Sequence, residues 1–155
     1  MNSKKKSPVA QWQTTINSKV PLTKAMGVRV LKAGVKSGVK FKLPIKPNRN
    51  HKNTAFGGTL VAAQALACWA WMCEAIESSG VKAEVVVQRQ SGEFLLPVAH
   101  DFTVVTDVPQ ERDVARFIKT LERHRKARLQ VTARVLVRGR IAGRYVGEYV
   151  AISKG

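Results

Sequence analysis

Hydrophobic positions along the chain fall into one long unbroken run and a series of short alternating ones. Ala55 to Cys73 is 19 residues without a charge. That length predicts a helix from about Gly57 to Ser78, ending at Ser79–Gly80, and the lack of a polar face predicts burial on every side. The run approaches the length of a membrane span. Gly57, Gly58, Thr59, Gln64 and many alanines make it weakly hydrophobic for that role, so a buried core helix is the better reading.

The flanking patterns are shorter. Val9, Trp12 and Ile16 share one face of a helix over Pro8–Lys19, and Pro21 separates it from a further turn at Leu22–Met26. Val28–Leu31 and Val39–Leu43 read as strands around a turn at Lys36–Gly38. Val39, Phe41 and Leu43 alternate with Lys40 and Lys42, the pattern of a strand with one wet face. Pro44–Asn53 is too rich in Pro and Asn for regular structure. Beyond the long helix, strands are predicted near Ala83–Gln90, Phe94–Leu96, Asp101–Thr106, Leu129–Val137 and Arg144–Ile152. The last two are joined by a turn at Arg138–Gly143, and a short helix falls within Gln110–Arg123. Residues 1–7 read as a flexible basic tail before a single domain, 8–155.

A helix that is apolar all round must be wrapped by other elements. The order of elements predicts an α+β fold of the hotdog type, one long buried central helix wrapped by a curved antiparallel sheet of about five to six strands. Such a sheet has open edges, and pairing two copies would extend it, so a homodimer is expected.

Charge changes the picture of partners rather than of fold. The chain has 27 Lys and Arg against 10 Asp and Glu, a net +17. A surface of that sign attracts polyanions. Arg112, Arg116, Lys119, Arg123, Arg125, Lys126 and Arg128 are dense late in the chain, and Arg134, Arg138, Arg140 and Arg144 continue the run. Zinc-finger, homeodomain and RNA-recognition patterns are absent and aromatics are not interleaved with the cations, which argues against specific nucleic-acid binding. Cys68 and Cys73 are five apart, about 140° around a helix, and read as buried thiols rather than a disulfide or a zinc site. No metal or redox cofactor is implied. Three lysines follow Met1 without the apolar core of a signal peptide, so a reducing cytoplasm is the expected location.

Candidate chemistry sits where a polar loop enters the buried helix. Pro47-Asn48-Arg49-Asn50-His51-Lys52-Asn53-Thr54-Ala55-Phe56 runs into Gly57, Gly58 and Thr59. A helix start offers unpaired N–H groups and a positive dipole end. Glycines there let a ligand approach the backbone. Together with the side-chain N–H of Asn48 or Asn50, they could hold an oxygen on which negative charge develops. The competing reading is that the asparagines cap turns and the glycines relieve packing.

The run P-N-x-N-H-x-x-T-x-F-G-G, followed by Leu66-Ala67-Cys68-Trp69 and by Phe94-Leu95-Leu96-Pro97-Val98, resembles the thioesterase-type hotdog family. That family includes the stand-alone malonyl-acyl-carrier-protein decarboxylases and the C-terminal half of two-domain proteins with an acetyltransferase in front. The resemblance spans roughly residues 20 to 152. It implies an enzyme acting on acyl thioesters of acyl carrier protein or coenzyme A, with Asn50 as catalytic residue and Gly57 and Gly58 as the helix-start glycines. The chain departs from relatives in its basic surface, its lysine-rich start and in Cys68, where relatives often have glycine.

Residue chemistry weighs on the reaction. Hydrolysis of a thioester needs a base to activate water. Thr54–Cys73 contains no acid, and Glu74 lies 17 residues past Gly57, about 25 Å along a helix. Decarboxylation of a malonyl thioester needs only donors for the enolate oxygen, supplied here by Asn50 and a helix-start N–H such as that of Gly58, in a dry pocket of Phe56, Leu60 and Trp69. Decarboxylation is therefore the favoured expectation, with hydrolysis second. His51, or Glu93 or Asp101 of a second subunit, is the alternative base. A catalytically silent thioester-binding module is a third expectation.

Overall fold

The computed structural model describes residues 5–155. The expected tail at 1–7 thus lies partly outside the described residues; its last member, Ser7, accepts a hydrogen bond from the N–H of Ala10 and caps the first helix, α1 (Pro8–Lys19). As the spacing predicts, Trp12 and Ile16 of α1 are buried. α2 (Leu22–Met26) follows and ends at Gly27, whose φ of 68° suits a residue without Cβ.

Six strands form one antiparallel sheet: β1 (Arg29–Gly34), β2 (Gly38–Leu43), β3 (Ala83–Phe94), β4 (Phe102–Asp107), β5 (Lys126–Val137) and β6 (Arg140–Ser153). Their spatial order is β1-β2-β4-β5-β6-β3, so β1 and β3 are the edges. The long helix α3 (Gly57–Ser78) packs against all six strands. A last helix, α4 (Glu111–His124), connects β4 to β5. Side chains of alternate strand residues point at α3. Phe41, Leu43, Phe102, Val104, Val135 and Tyr145 are at most 1% exposed, each burial stabilising the fold by about 1.5–3 kcal/mol.

Polar atoms drawn into this core find partners, Gln64 Oε1 excepted among the described residues. Trp71 Nε1 donates to the Val35 carbonyl at 3.0 Å and Trp69 Nε1 to the Val85 carbonyl at 3.2 Å. Trp12 Nε1 donates to Glu74 Oε2 at 2.8 Å, which ties α1 to α3. The amide of Gln13 spans β1, accepting from the Val30 N–H and donating to the Val28 carbonyl. Beneath α3, Tyr149 Oη donates to the Ala65 carbonyl at 2.7 Å and lies 3.0 Å from Tyr145 Oη, which reaches Gln90.

Two sequence expectations are corrected, both at glycines. Phe94–Leu96 is not a strand of its own, because β3 runs unbroken through Ser91-Gly92 to Phe94. Gly92 is there because a Cβ would stand 3.0 Å from Val61 of α3. The turn expected over Arg138–Gly143 closes in two residues, Arg138 and Gly139, and Gly143 belongs to β6, where a Cβ would meet the Glu93 carbonyl. Glycine within a strand marks a close approach as often as a turn.

Gly147 makes a tighter contact than either. A Cβ there would fall 2.5 Å from the Tyr149 ring and 2.7 Å from Tyr145 Oη. Gly147→Ala is expected to lower stability by about 1–3 kcal/mol; an unchanged urea midpoint would show that the tyrosine pair is not held as described. The cysteines are both free, Cys68 fully buried and Cys73 half-buried. Burial raises the Cys68 thiol far above its ordinary value; burial first, and Glu77 second, push Cys73 up to about 12. Neither is a thiolate at neutral pH, so Ellman's reagent at pH 8 should modify neither in the native protein and both in denaturant. Rapid native labelling would contradict this.

Candidate active site at the start of the central helix

The loop that enters α3 is built by its own side chains. A short 3-10 turn at Lys46–Asn48, started by Pro47, buries Asn48. Asn48 Nδ2 donates to the carbonyls of Met26 (2.8 Å) and Pro44 (2.7 Å), and its own carbonyl accepts from the Phe56 N–H at 2.8 Å. Both amide hydrogens of Asn48 are therefore spent on the scaffold. The structure thus places Asn48, expected among the substrate contacts, in the scaffold of the loop.

Asn50 is placed differently. Its Oδ1 accepts from the backbone N–H of Lys52 (2.9 Å) and Thr54 (3.2 Å), which identifies the oxygen end of the amide. Its Nδ2 donates to Thr54 Oγ1 at 3.0 Å, leaving one amide hydrogen uncommitted. The Asn50 N–H reaches the Thr54 carbonyl at 2.8 Å, and Asn53 turns the chain in the left-handed region at φ 59°. The Ala55 N–H then bonds to the Val98 carbonyl at 2.7 Å, joining the loop to the segment after β3.

At the helix itself, Phe56 occupies the cap position and offers no side-chain acceptor. The N–H groups of Gly57, Gly58 and Thr59 precede the first intrahelical bond, Leu60 N–H to the Phe56 carbonyl at 3.2 Å. No acid sits in this first turn, whereas α1 is capped by Ser7 and α4 carries Glu111 and Asp113. The positive end of α3 is thus left uncompensated. Two exposed rings lie over its glycines: a Cβ on Gly57 would stand 3.3 Å from Phe94, and one on Gly58 would stand 2.5 Å from Phe56.

A groove of about 320 Å³ opens there, lined by Thr54, Ala55, Gly57, Leu60 and the run Phe94–Val98. Among the described residues no ionisable side chain lines it. Asn50 stands behind its wall, bonded to Thr54, and Phe56 lies at the helix end with its ring exposed. His51 is exposed, and among the described residues no hydrogen bond orients its ring. Trp69 lies 12 residues past Gly57, about 18 Å along α3, and lines a separate groove of about 420 Å³ with Cys73, Ile76 and Val85. A groove of about 570 Å³ between α4 and β5 likewise lacks the helix-start donors. Thr54 and the Leu95–Val98 wall had no assigned role in the sequence reading. Their signal was present, since both belong to the motifs that carry the resemblance.

The family model described as "Putative thioesterase (yiiD_Cterm)" matches residues 9–153. Among solved structures the chain is similar to a protein of unknown function from Chlorobaculum tepidum TLS, at 22% identity, with a TM-score of 0.87 and 94% of each chain covered. It is similar to a "putative thioesterase" from Shewanella oneidensis at 21% identity, TM-score 0.82, covering 93% of this chain and 96% of that one. A "probable thioesterase" from Pseudomonas aeruginosa matches at 18% identity, TM-score 0.82, covering 96% and 97%. At these identities the likeness is one of fold, and it bears out the hotdog architecture. No curated protein matches the chain.

The pairing of Asn50 with Thr54 makes a stability prediction. Thr54→Val removes the hydroxyl that Nδ2 donates to and should cost about 0.5–1.5 kcal/mol, with faster amide exchange at Lys52 and Thr54. Unaltered exchange at both amides would mean that this bond does not hold the loop.

Proposed function

Because the chain belongs to the family described as "Putative thioesterase (yiiD_Cterm)", we propose that it acts on acyl thioesters, and that its reaction is decarboxylation of a malonyl thioester on acyl carrier protein. The observation that carries this reading is the uncapped start of α3, with free N–H groups opening on a groove that holds no acid and no histidine.

In this reaction the bond between the methylene carbon and the carboxylate breaks and carbon dioxide leaves. The electron pair moves through the methylene carbon onto the thioester oxygen, giving an enolate. A proton from water then returns to the carbon, giving the acetyl thioester with its C–S bond intact. In this reading the enolate oxygen takes its hydrogen bonds from the helix-start N–H groups beside Gly57, which lines the groove, and from Asn50, whose Nδ2 stands one hydrogen bond behind the Thr54 wall. One such donor is worth about 10²–10³ in rate. Leu60, Phe94, Leu95 and Leu96 surround the departing carboxylate with apolar surface, which favours its loss as neutral carbon dioxide.

Hydrolysis is the second reading, and the family's description favours it. It requires a base that the groove of one chain does not hold: Glu74 is engaged by Trp12, and Asp101 Oδ1 accepts from the Ile45 N–H. A second copy is the remaining source. β3 is an open edge of 12 residues with Val86, Val87 and Phe94 exposed, beside a half-buried flank of α3 at Val61, Ala62, Ala65 and Trp69. We infer that two copies join along β3, which would bring Glu93 of one chain toward the groove of the other.

The test is mass spectrometry of malonyl-acyl carrier protein and of acyl-coenzyme A after incubation with the enzyme. Acetyl-carrier protein is the expected product; free thiol would replace this reading with hydrolysis. Asn50→Ala would also unstitch the loop, so Asn50→Asp is the sharper variant. It keeps the acceptor oxygen for Lys52 and Thr54, lets the Thr54 hydroxyl donate to the carboxylate as it can to Oδ1, and replaces the N–H donor by a charged oxygen. It should lower turnover about 10²–10³-fold with an unchanged melting temperature; full activity would remove Asn50 from the mechanism.

A further inference from the structure

We propose that the outward face of the sheet next to this groove docks an acidic protein that carries the acyl thioester. The proposal rests on the reading above that the substrate arrives on a carrier protein, and it assigns that carrier a surface.

Strand alternation sets the face. Phe41, Leu43, Phe102, Val104, Val135 and Val137 are buried, so Lys40, Lys42, Thr103, Val105, Arg134 and Leu136 point outward. The register aligns Lys40, Val105, Arg134 and Arg144 in one row across β2, β4, β5 and β6, with Lys42, Thr103 and Leu136 in the next. Arg138 extends the second row from the β5–β6 turn. Asp107 holds Arg134 at 2.8 Å, and Asp101 is turned to the Ile45 N–H. Among the described residues Lys40, Lys42, Arg138 and Arg144 make no ion pair. A shallow groove of about 290 Å³ lies among them, lined by Lys40, Lys42, Thr103, Leu136 and Arg138 with Asp101 at its side.

This face adjoins the candidate active site. Pro97 and Val98 line the helix-start groove, while Asp101 and Phe102, a few residues on, line the basic one. Between them His100 Nδ1 lies 3.4 Å from Arg138 Nη2. A carrier seated on the basic face would need to bridge only this loop to present its thioester.

Arg138 also occupies its place at a conformational cost. It has φ 48° and is followed by Gly139 at φ 76°, a two-residue turn whose first position suits Asn far better than a long side chain. Strain of this kind persists where the side chain serves something other than the fold.

The chemistry of the face selects among polyanions. Its outward neighbours are Thr103, Val105 and Leu136, and Phe102 is buried, so no ring is available on which a base could stack. The cations are spaced along two rows with aliphatic side chains between them, rather than converging on one point as a phosphate requires. Spaced cations on a flat, partly apolar face complement the acidic surface of a folded protein.

The experiment compares Lys42→Gln/Arg138→Asn with a control of equal charge change on α4, Arg116→Gln/Arg123→Gln. Both are assayed on malonyl-acyl carrier protein, malonyl-coenzyme A and malonyl-N-acetylcysteamine. The sheet variant should raise KM for the carrier-borne substrate about tenfold, with kcat and activity on the N-acetylcysteamine thioester unchanged, while the α4 variant matches wild type. Arg138→Asn should not lower the melting temperature, because it relieves the turn. Three results would overturn the proposal: an unchanged carrier KM, an equal rise in the α4 control, or an equal rise for malonyl-coenzyme A, which would assign the face to nucleotide phosphates. If the wild type turns over none of the three, the proposed function has failed, and docking is then read by titration with acyl carrier protein. Salt-sensitive binding lost in the sheet variant supports the surface; no binding at low salt overturns it.

Discussion

The structure depends on covering a helix that has no polar side. From Thr54 to Cys73 no residue is charged, so any part of α3 left in water loses the hydrophobic stabilisation that orders the chain. One curved sheet meets this demand by touching α3 with all six strands. The consequences reach individual residues. At Gly92 a Cβ would crowd a Val61 methyl at 3.0 Å, and at Gly147 two tyrosine rings occupy the space of one. The ring nitrogens of Trp69 and Trp71 find carbonyls at the margins of the sheet, since in this core an unpartnered donor would cost about 1–3 kcal/mol.

The same demand locates the chemistry. A helix held inside a sheet delivers its N-terminus to one end of the core, where the surroundings are apolar and the dipole end is poorly screened. In α1 and α4 that end is satisfied locally, by Ser7 and by Glu111 with Asp113. At α3 the preceding residue is Phe56 and the first turn is Gly-Gly-Thr, so among the described residues no side chain caps its donors, and Gly57 lies on the groove wall. Gln64, two turns further in, shows the other side of the constraint. It is the one longer polar side chain of the run; its Nε2 returns to the Leu60 carbonyl, while Oε1 stays buried without a partner among the described residues.

Most of the fold was legible because it follows from periodicity. Pro8–Lys19, Leu22–Met26 and Gly57–Ser78 have the bounds that their apolar spacing and their Pro and Gly punctuation predict. Strand continuity through Ser91-Gly92 and Ala142-Gly143 was not legible. In both places a glycine serves a contact between elements distant in sequence, and no local pattern records such a contact. The candidate site was legible in part for the same reason. The loop and helix start are contiguous and announce themselves, whereas the wall from Phe94 to Val98 joins them through the Ala55–Val98 hydrogen bond, a long-range pairing. Trp69 is placed away from the helix-start groove because it lies about three turns down the helix, a matter of distance along an axis rather than of residue type.

Asn48 and Asn50 show why residue type alone stops short of a mechanism. They sit two apart in one loop, and by composition either could offer an N–H to an oxygen. Asn48 gives both hydrogens to carbonyls that hold α2 and the 3-10 turn in place, so its amide is consumed by structure. Asn50 uses its oxygen to order Lys52 and Thr54 and spends only one hydrogen, on a hydroxyl that belongs to the groove wall. The first asparagine thereby fixes the loop on which the second is presented. That division of labour requires each amide to have a fixed orientation, and the orientation comes from backbone groups several residues away. A side chain can be both a strut and a donor only if the strut leaves an N–H over, and of the two asparagines Asn50 alone does so among the described residues.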